Sequence, residues 1–115
     1  MARKHPAKIP VTPGSGNVFA DLGFAEPEEE LTKAQLATQI RHIIKRRRLT
    51  QIAAAALMGI DQPKVSALFN GRLANFSSER LMRLLTTLGQ DVEITIKAKP
   101  RTRERGRIRV LSDVA

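Results

Sequence analysis

Gln51-Ile-Ala-Ala-Ala-Ala-Leu-Met58, then Gly59-Ile60, then Asp61-Gln-Pro-Lys-Val-Ser-Ala-Leu-Phe-Asn70: the reading of these twenty residues decides the fold. Thr50 can cap a first short helix over Gln51–Met58, where Ala53 to Ala56 leave room for another helix to come close. Gly59 stands where a left-handed residue ends a helix. Asp61 can cap a second helix, and Pro63 falls in its first turn, where a missing N–H costs nothing. Val65, Leu68 and Phe69 then form one apolar stripe, and Gly71 can stop the helix. The stretch predicts two short helices joined by a sharp turn.

Helical patterns continue on both sides. Upstream, Leu36, Ile40, Ile43 and Ile44 give one buried stripe, opposite a face carrying Lys33, Arg41, Lys45 and Arg46. Two starts for this helix are open. Pro27 is a good first-turn residue beside acids that suit the helix dipole; Thr32 with Gln35 makes a capping box. Downstream, Ser77 can cap a helix whose Leu81, Leu84, Leu85 and Leu88 fall at i, i+3, i+4 and i+7, with Gly89 closing it. The expected fold is mainly all-α, a small four- to five-helix bundle.

Two short helices around a glycine turn, the first dense in alanine, have the helix-turn-helix layout. Gln51, Ala55, Gly59, Ile60, Val65 and Leu68 are similar in identity and spacing to the Cro and phage-repressor (XRE-type) DNA-binding family, over roughly residues 33–90. The resemblance implies that the helix around residues 62–70 enters the major groove and that the protein regulates transcription, as a repressor. By matching position, Gln62, Pro63, Ser66 and Ala67 would meet base edges. Gln62 could bond an adenine edge through two hydrogen bonds; Ser66 discriminates poorly; Pro63 and Ala67 could only touch a thymine methyl or read shape. Gln51, Lys64, Asn70 and Arg72 would stand against phosphates, Gln51 at a helix N-terminus that favours an anion.

The charge agrees with such a partner. The chain has 115 residues and a formal net charge of +9, enough to attract polyanions. Residues 32–90 carry ten Lys or Arg against Asp61 and Glu79, whereas residues 1–31 are net acidic and residues 91–115 net basic. There is no Cys, which excludes disulfides, thiolate zinc sites and cysteine nucleophiles. With no Trp or Tyr and four Phe, base-stacking readers of single strands are disfavoured. The longest near-apolar run, Ile52 to Ile60, is too short to span a bilayer. His5 and His42 lack metal-ligand spacing, and Glu28 to Glu30 point different ways on a helix. No enzyme, cofactor, metal site or membrane contact is expected, and the chain reads as a cytoplasmic protein.

After the fourth helix the period changes. In Asp91 to Lys97, Val92, Ile94 and Ile96 alternate with Glu93, Thr95 and Lys97, which predicts a short half-buried strand, bounded at residues 91–98. A lone strand leaves its backbone unpaired. Its partner could be the same strand of a second copy, Arg107 to Leu111 of its own chain, or another protein's sheet edge. A homodimer is the favoured reading, since two recognition helices must sit about one DNA turn apart. Residues 99–115 read as a solvated basic tail that adds non-specific DNA affinity.

Residues 1–26 read as a flexible lead-in, interrupted by Pro6, Pro10, Pro13, Gly14, Gly16 and Gly23. Within it Val18, Phe19, Leu22 and Phe24 cluster beside acids and can dock on a basic partner with an apolar groove, or fold back on the chain's own domain. The leader Gly16-Asn-Val-Phe-Ala-Asp-Leu-Gly23 and the later Leu88-Gly-Gln-Asp-Val-Glu-Ile94 together resemble small antitoxins of HigA type. That resemblance, over about residues 16–97, implies a type II antitoxin that silences a RelE/HigB-like ribonuclease toxin and represses the shared operon. A stand-alone XRE-family regulator is the alternative.

Overall fold

In the computed structural model, residues 27–112 are described. The chain divides into two compact units, 1–31 and 32–115, and the core lies within the second. Four helices follow in order: α1 Pro27–Arg46, α2 Gln51–Met58, α3 Gln62–Phe69 and α4 Ser78–Thr87.

Each start is made by the residue expected to make it. The Thr50 hydroxyl accepts from the Ala53 N–H, the Asp61 carboxylate from the Lys64 N–H, and the Ser77 hydroxyl from the Arg80 N–H. In α1 the start at Pro27 prevails: Glu28, Glu29 and Glu30 occupy its first turn, and Thr32 lies inside the helix. Gln35 therefore does not close a capping box; its side chain instead accepts from the Val110 N–H at 3.3 Å.

The helices stop in one common way. Gly59, Gly71 and Gly89 all adopt positive φ. The turn at Gly59 sets how the two short helices meet. Its φ of 69° lets both its own N–H and that of Ile60 reach the carbonyl of Ala55, which ends α2 and turns the chain into α3. Arg48 plays the same part after α1 at φ 57°, with Arg48 N–H to Lys45 and Leu49 N–H to Ile44, each at 3.0 Å.

The core is one cluster. Leu36, Ala37, Ile40, Ile43 and Ile44 of α1 meet Ala54, Ala55 and Met58 of α2, Val65 and Leu68 of α3, and Leu81, Leu84 and Leu85 of α4; Leu73, Phe76 and Leu88 fill the junctions. Ala54 and Ala55 are buried on α2, so the small side chains are those that the neighbouring helices approach.

Two sequence expectations need correction. Among the described residues the fold is all-α, and no strand forms over 91–98 or over Arg107 to Leu111. The cause is that a strand is held by a neighbour's backbone, and neither segment supplies the other's ladder. Val92 and Val110 rest against the core, while Ile94, Ile96 and Ile108 are 76%, 92% and 70% exposed. Second, Lys33 does not belong to the solvated face of α1. It is buried, and its Nζ donates to the Leu73 carbonyl at 3.1 Å.

Candidate nucleic-acid interface

The turn at Gly59 brings the N-termini of α2 and α3 together, and between them lies a shallow cleft of about 270 Å³ lined by Gln51, Gln62, Pro63 and Ser66. Four residues apart, Gln62 and Ser66 share a face of α3. Gln62 and Pro63 are exposed, and Ser66 and Gln51 are half-buried at the cleft wall. The first turns of α2 and α3 open beside the cleft, the Ala53 N–H taken by the Thr50 hydroxyl and the Lys64 N–H by the Asp61 carboxylate, so the positive ends of two helix dipoles lie at this spot, that of α3 partly offset by the Asp61 charge. The chemistry on offer is an amide that donates and accepts, a hydroxyl, an apolar ring edge and oriented N–H groups. It suits a polyanion with hydrogen-bonding edges.

The other expected residues are placed differently. Ala67 is half-buried and packs against the core, so it offers less surface than Gln62 or Pro63. Lys64 is half-buried on α3. Asn70 and Arg72 are exposed beyond the far end of α3, where the Asn70 Nδ2 donates to the Ser66 Oγ at 3.4 Å. The eight residues are thus gathered along α3 and its flanks, with Gln51, Gln62, Pro63 and Ser66 in one cleft. Val18, Phe19, Leu22 and Phe24 lie outside the described residues.

Behind this surface, α1 holds α3 by its far end. The Arg41 guanidinium donates to the Leu68 carbonyl at 3.0 Å and to the Thr38 hydroxyl at 2.9 Å. Lys33 reaches the Leu73 carbonyl just beyond. Cations at the C-terminal carbonyls of a helix meet the negative end of its dipole. Arg47 does the same for α4 through the Leu88 carbonyl at 3.1 Å. Sequence reasoning read Lys33 and Arg41 as surface charge. The missed signal was spacing: Lys33 stands three, four and seven residues before Leu36, Ala37 and Ile40, on the apolar stripe itself.

Among the described residues no group of His, Cys, Asp or Glu could hold a metal ion, and no helix is long and apolar enough to cross a membrane.

Comparison with known proteins agrees with this geometry. A family described as "Helix-turn-helix domain" matches residues 18–97. A solved structure with the provisional name of an XRE-family transcriptional regulator is 56% identical, with a TM-score of 0.71; the match covers 74% of this chain and 96% of that one. A search of curated proteins gave no match.

Proposed function

The chain belongs to the helix-turn-helix domain family, and to its XRE-type transcriptional regulators; from that premise we propose that it is a sequence-specific repressor that lays α3 in the major groove of duplex DNA as a homodimer. The observation that carries the reading is the cleft where Gln51, Gln62, Pro63 and Ser66 converge. In the groove, the Gln62 amide bonds an adenine edge, Ser66 adds a contact of low discrimination, and Pro63 with the small exposed part of Ala67 meets thymine methyls. Gln51, Lys64, Asn70 and Arg72 take phosphates and set the register. So few base-reading groups leave part of the specificity to DNA shape.

The reading narrows in one of two directions. The leader at 16–23 and the segment at 88–94 resemble those of HigA-type antitoxins, which supports a repressor that also silences a RelE/HigB-like toxin through Val18, Phe19, Leu22 and Phe24. The family match begins at residue 18, so it covers most of that leader. A stand-alone regulator agrees equally with the family and with the related structure. Footprinting of the full-length protein on DNA upstream of its own gene tests the common part: a discrete protected site is expected, and sequence-independent protection contradicts it. Co-expression with the product of the adjacent gene separates the two directions. A stable complex with a toxin-sized basic protein supports the antitoxin, and its absence supports the stand-alone regulator.

A further inference from the structure

The segment after α4 leaves an apolar edge uncovered. Val92, Ile94 and Ile96 alternate along it, so in extended backbone they share a face. Val92 rests against the chain's own core, but Ile94 and Ile96 overhang it at 76% and 92% exposure. Among the described residues, no backbone hydrogen bond joins Asp91–Lys99 to any other part of the chain. The segment Arg107 to Leu111, which has the right alternation to pair with it, is engaged elsewhere: Val110 donates its N–H to Gln35.

The polar face of the same segment carries a charge gradient. Asp91 and Glu93 open it, and Lys97 and Lys99 close it. A strand with acids at one end and bases at the other is complementary to itself only when turned end for end. Parallel pairing would set like charges side by side, which destabilises a sheet.

We propose that Asp91–Lys99 of two copies pair as an antiparallel ribbon about a two-fold axis at Thr95. The proposal rests on the homodimer reading above and supplies its interface. In this register Glu93 faces Lys97 and Asp91 faces Lys99, each twice, while Ile94 faces Ile96 on the opposite side. Val92 then faces Ala98, whose small side chain leaves Val92 on its own core. A shift to an axis at Ile94 keeps Asp91 opposite Lys97 but sets Glu93 against Thr95, so half of the charge pairs are lost. Burial of the isoleucines supplies most of the free energy; the exposed charge pairs are individually weak and select direction and register.

Charge exchange in the full-length protein tests this by analytical ultracentrifugation. Asp91→Lys with Glu93→Lys should raise the dimer dissociation constant about tenfold or more. Adding Lys97→Glu and Lys99→Glu should restore it to near the starting value. All four side chains are exposed, so folding is preserved and can be checked by circular dichroism. A second measurement uses the absence of native cysteine. Thr95→Cys should couple to its own copy through a short thiol cross-linker, whereas Asp91→Cys, distant from its own copy in an antiparallel ribbon, should not. A dimer indifferent to both charge changes, or one that cross-links equally at 91 and 95, overturns the ribbon while leaving the homodimer standing. A chain that stays monomeric at every concentration overturns both.

Discussion

Arg48 holds a conformation that glycine reaches at lower cost. At φ 57° its Cβ crowds the backbone, whereas Gly59, Gly71 and Gly89 hold similar angles with no Cβ to crowd. The bonds around it are those of a helix end that needs such a residue: Leu49 N–H to Ile44 and Arg48 N–H to Lys45. Arg48→Gly should therefore stabilise the fold by about 0.5–1 kcal/mol, read as a higher denaturant midpoint with unchanged slope. A lower midpoint would show that the arginine side chain contributes more than its backbone costs. Three of the four helix ends were legible because glycine marks them. This one was not, since nothing in Arg46-Arg47-Arg48 distinguishes a left-handed residue from the last turn of a basic helix.

At the scale of elements, α3 is positioned from behind. Its buried Val65 and Leu68 fix which face turns inward, and Arg41 and Lys33 of α1 hold its C-terminal end and the following loop through the carbonyls of Leu68 and Leu73. Removing a charged donor from a buried carbonyl leaves that acceptor unsatisfied. Lys33→Met keeps the length and apolar stem of the side chain but removes the ammonium group, and should lower the unfolding free energy by about 1–3 kcal/mol in denaturant titration. An unchanged midpoint would mean that the Leu73 carbonyl finds water or another donor. The caps of α2, α3 and α4 were readable in Thr50, Asp61 and Ser77 because a capping side chain acts on its own next turn. The acceptors of the cation clamps were not, because they lie 27 and 40 residues away in sequence; only the place of Lys33 on the apolar stripe hinted at its burial. Strand formation at 91–98 fails for a related reason. Alternation sets which side chains share a face, but a ladder requires a neighbour, and one copy offers none.

For the whole molecule, charge and shape divide the labour. The middle of the chain concentrates ten Lys or Arg against two acids, but those cations serve two ends. Lys33, Arg41 and Arg47 are drawn in to backbone carbonyls at and just beyond helix ends, and Arg83 pairs with Glu79 at 2.9 Å. Arg72 and Asn70 stay exposed at one end of α3, with Gln62 and Pro63 at the other. Net charge alone therefore overstates the part available to a polyanion. The bend at Gly59 and the identity of α3 were legible from a twenty-residue window because every signal in it is local. Which cations face outward was not, since that depends on how α1 packs.

Whether the N-terminal face of α3 reads base edges is measured most directly by the affinity of Gln62→Ala for the operator and for random duplex at one salt concentration. Gln62 is exposed, so the substitution leaves the core intact. Operator binding is predicted to weaken by about 1–3 kcal/mol while binding to random duplex stays nearly unchanged. An equal loss on both, or no loss on either, would mean that Gln62 does not read a base edge.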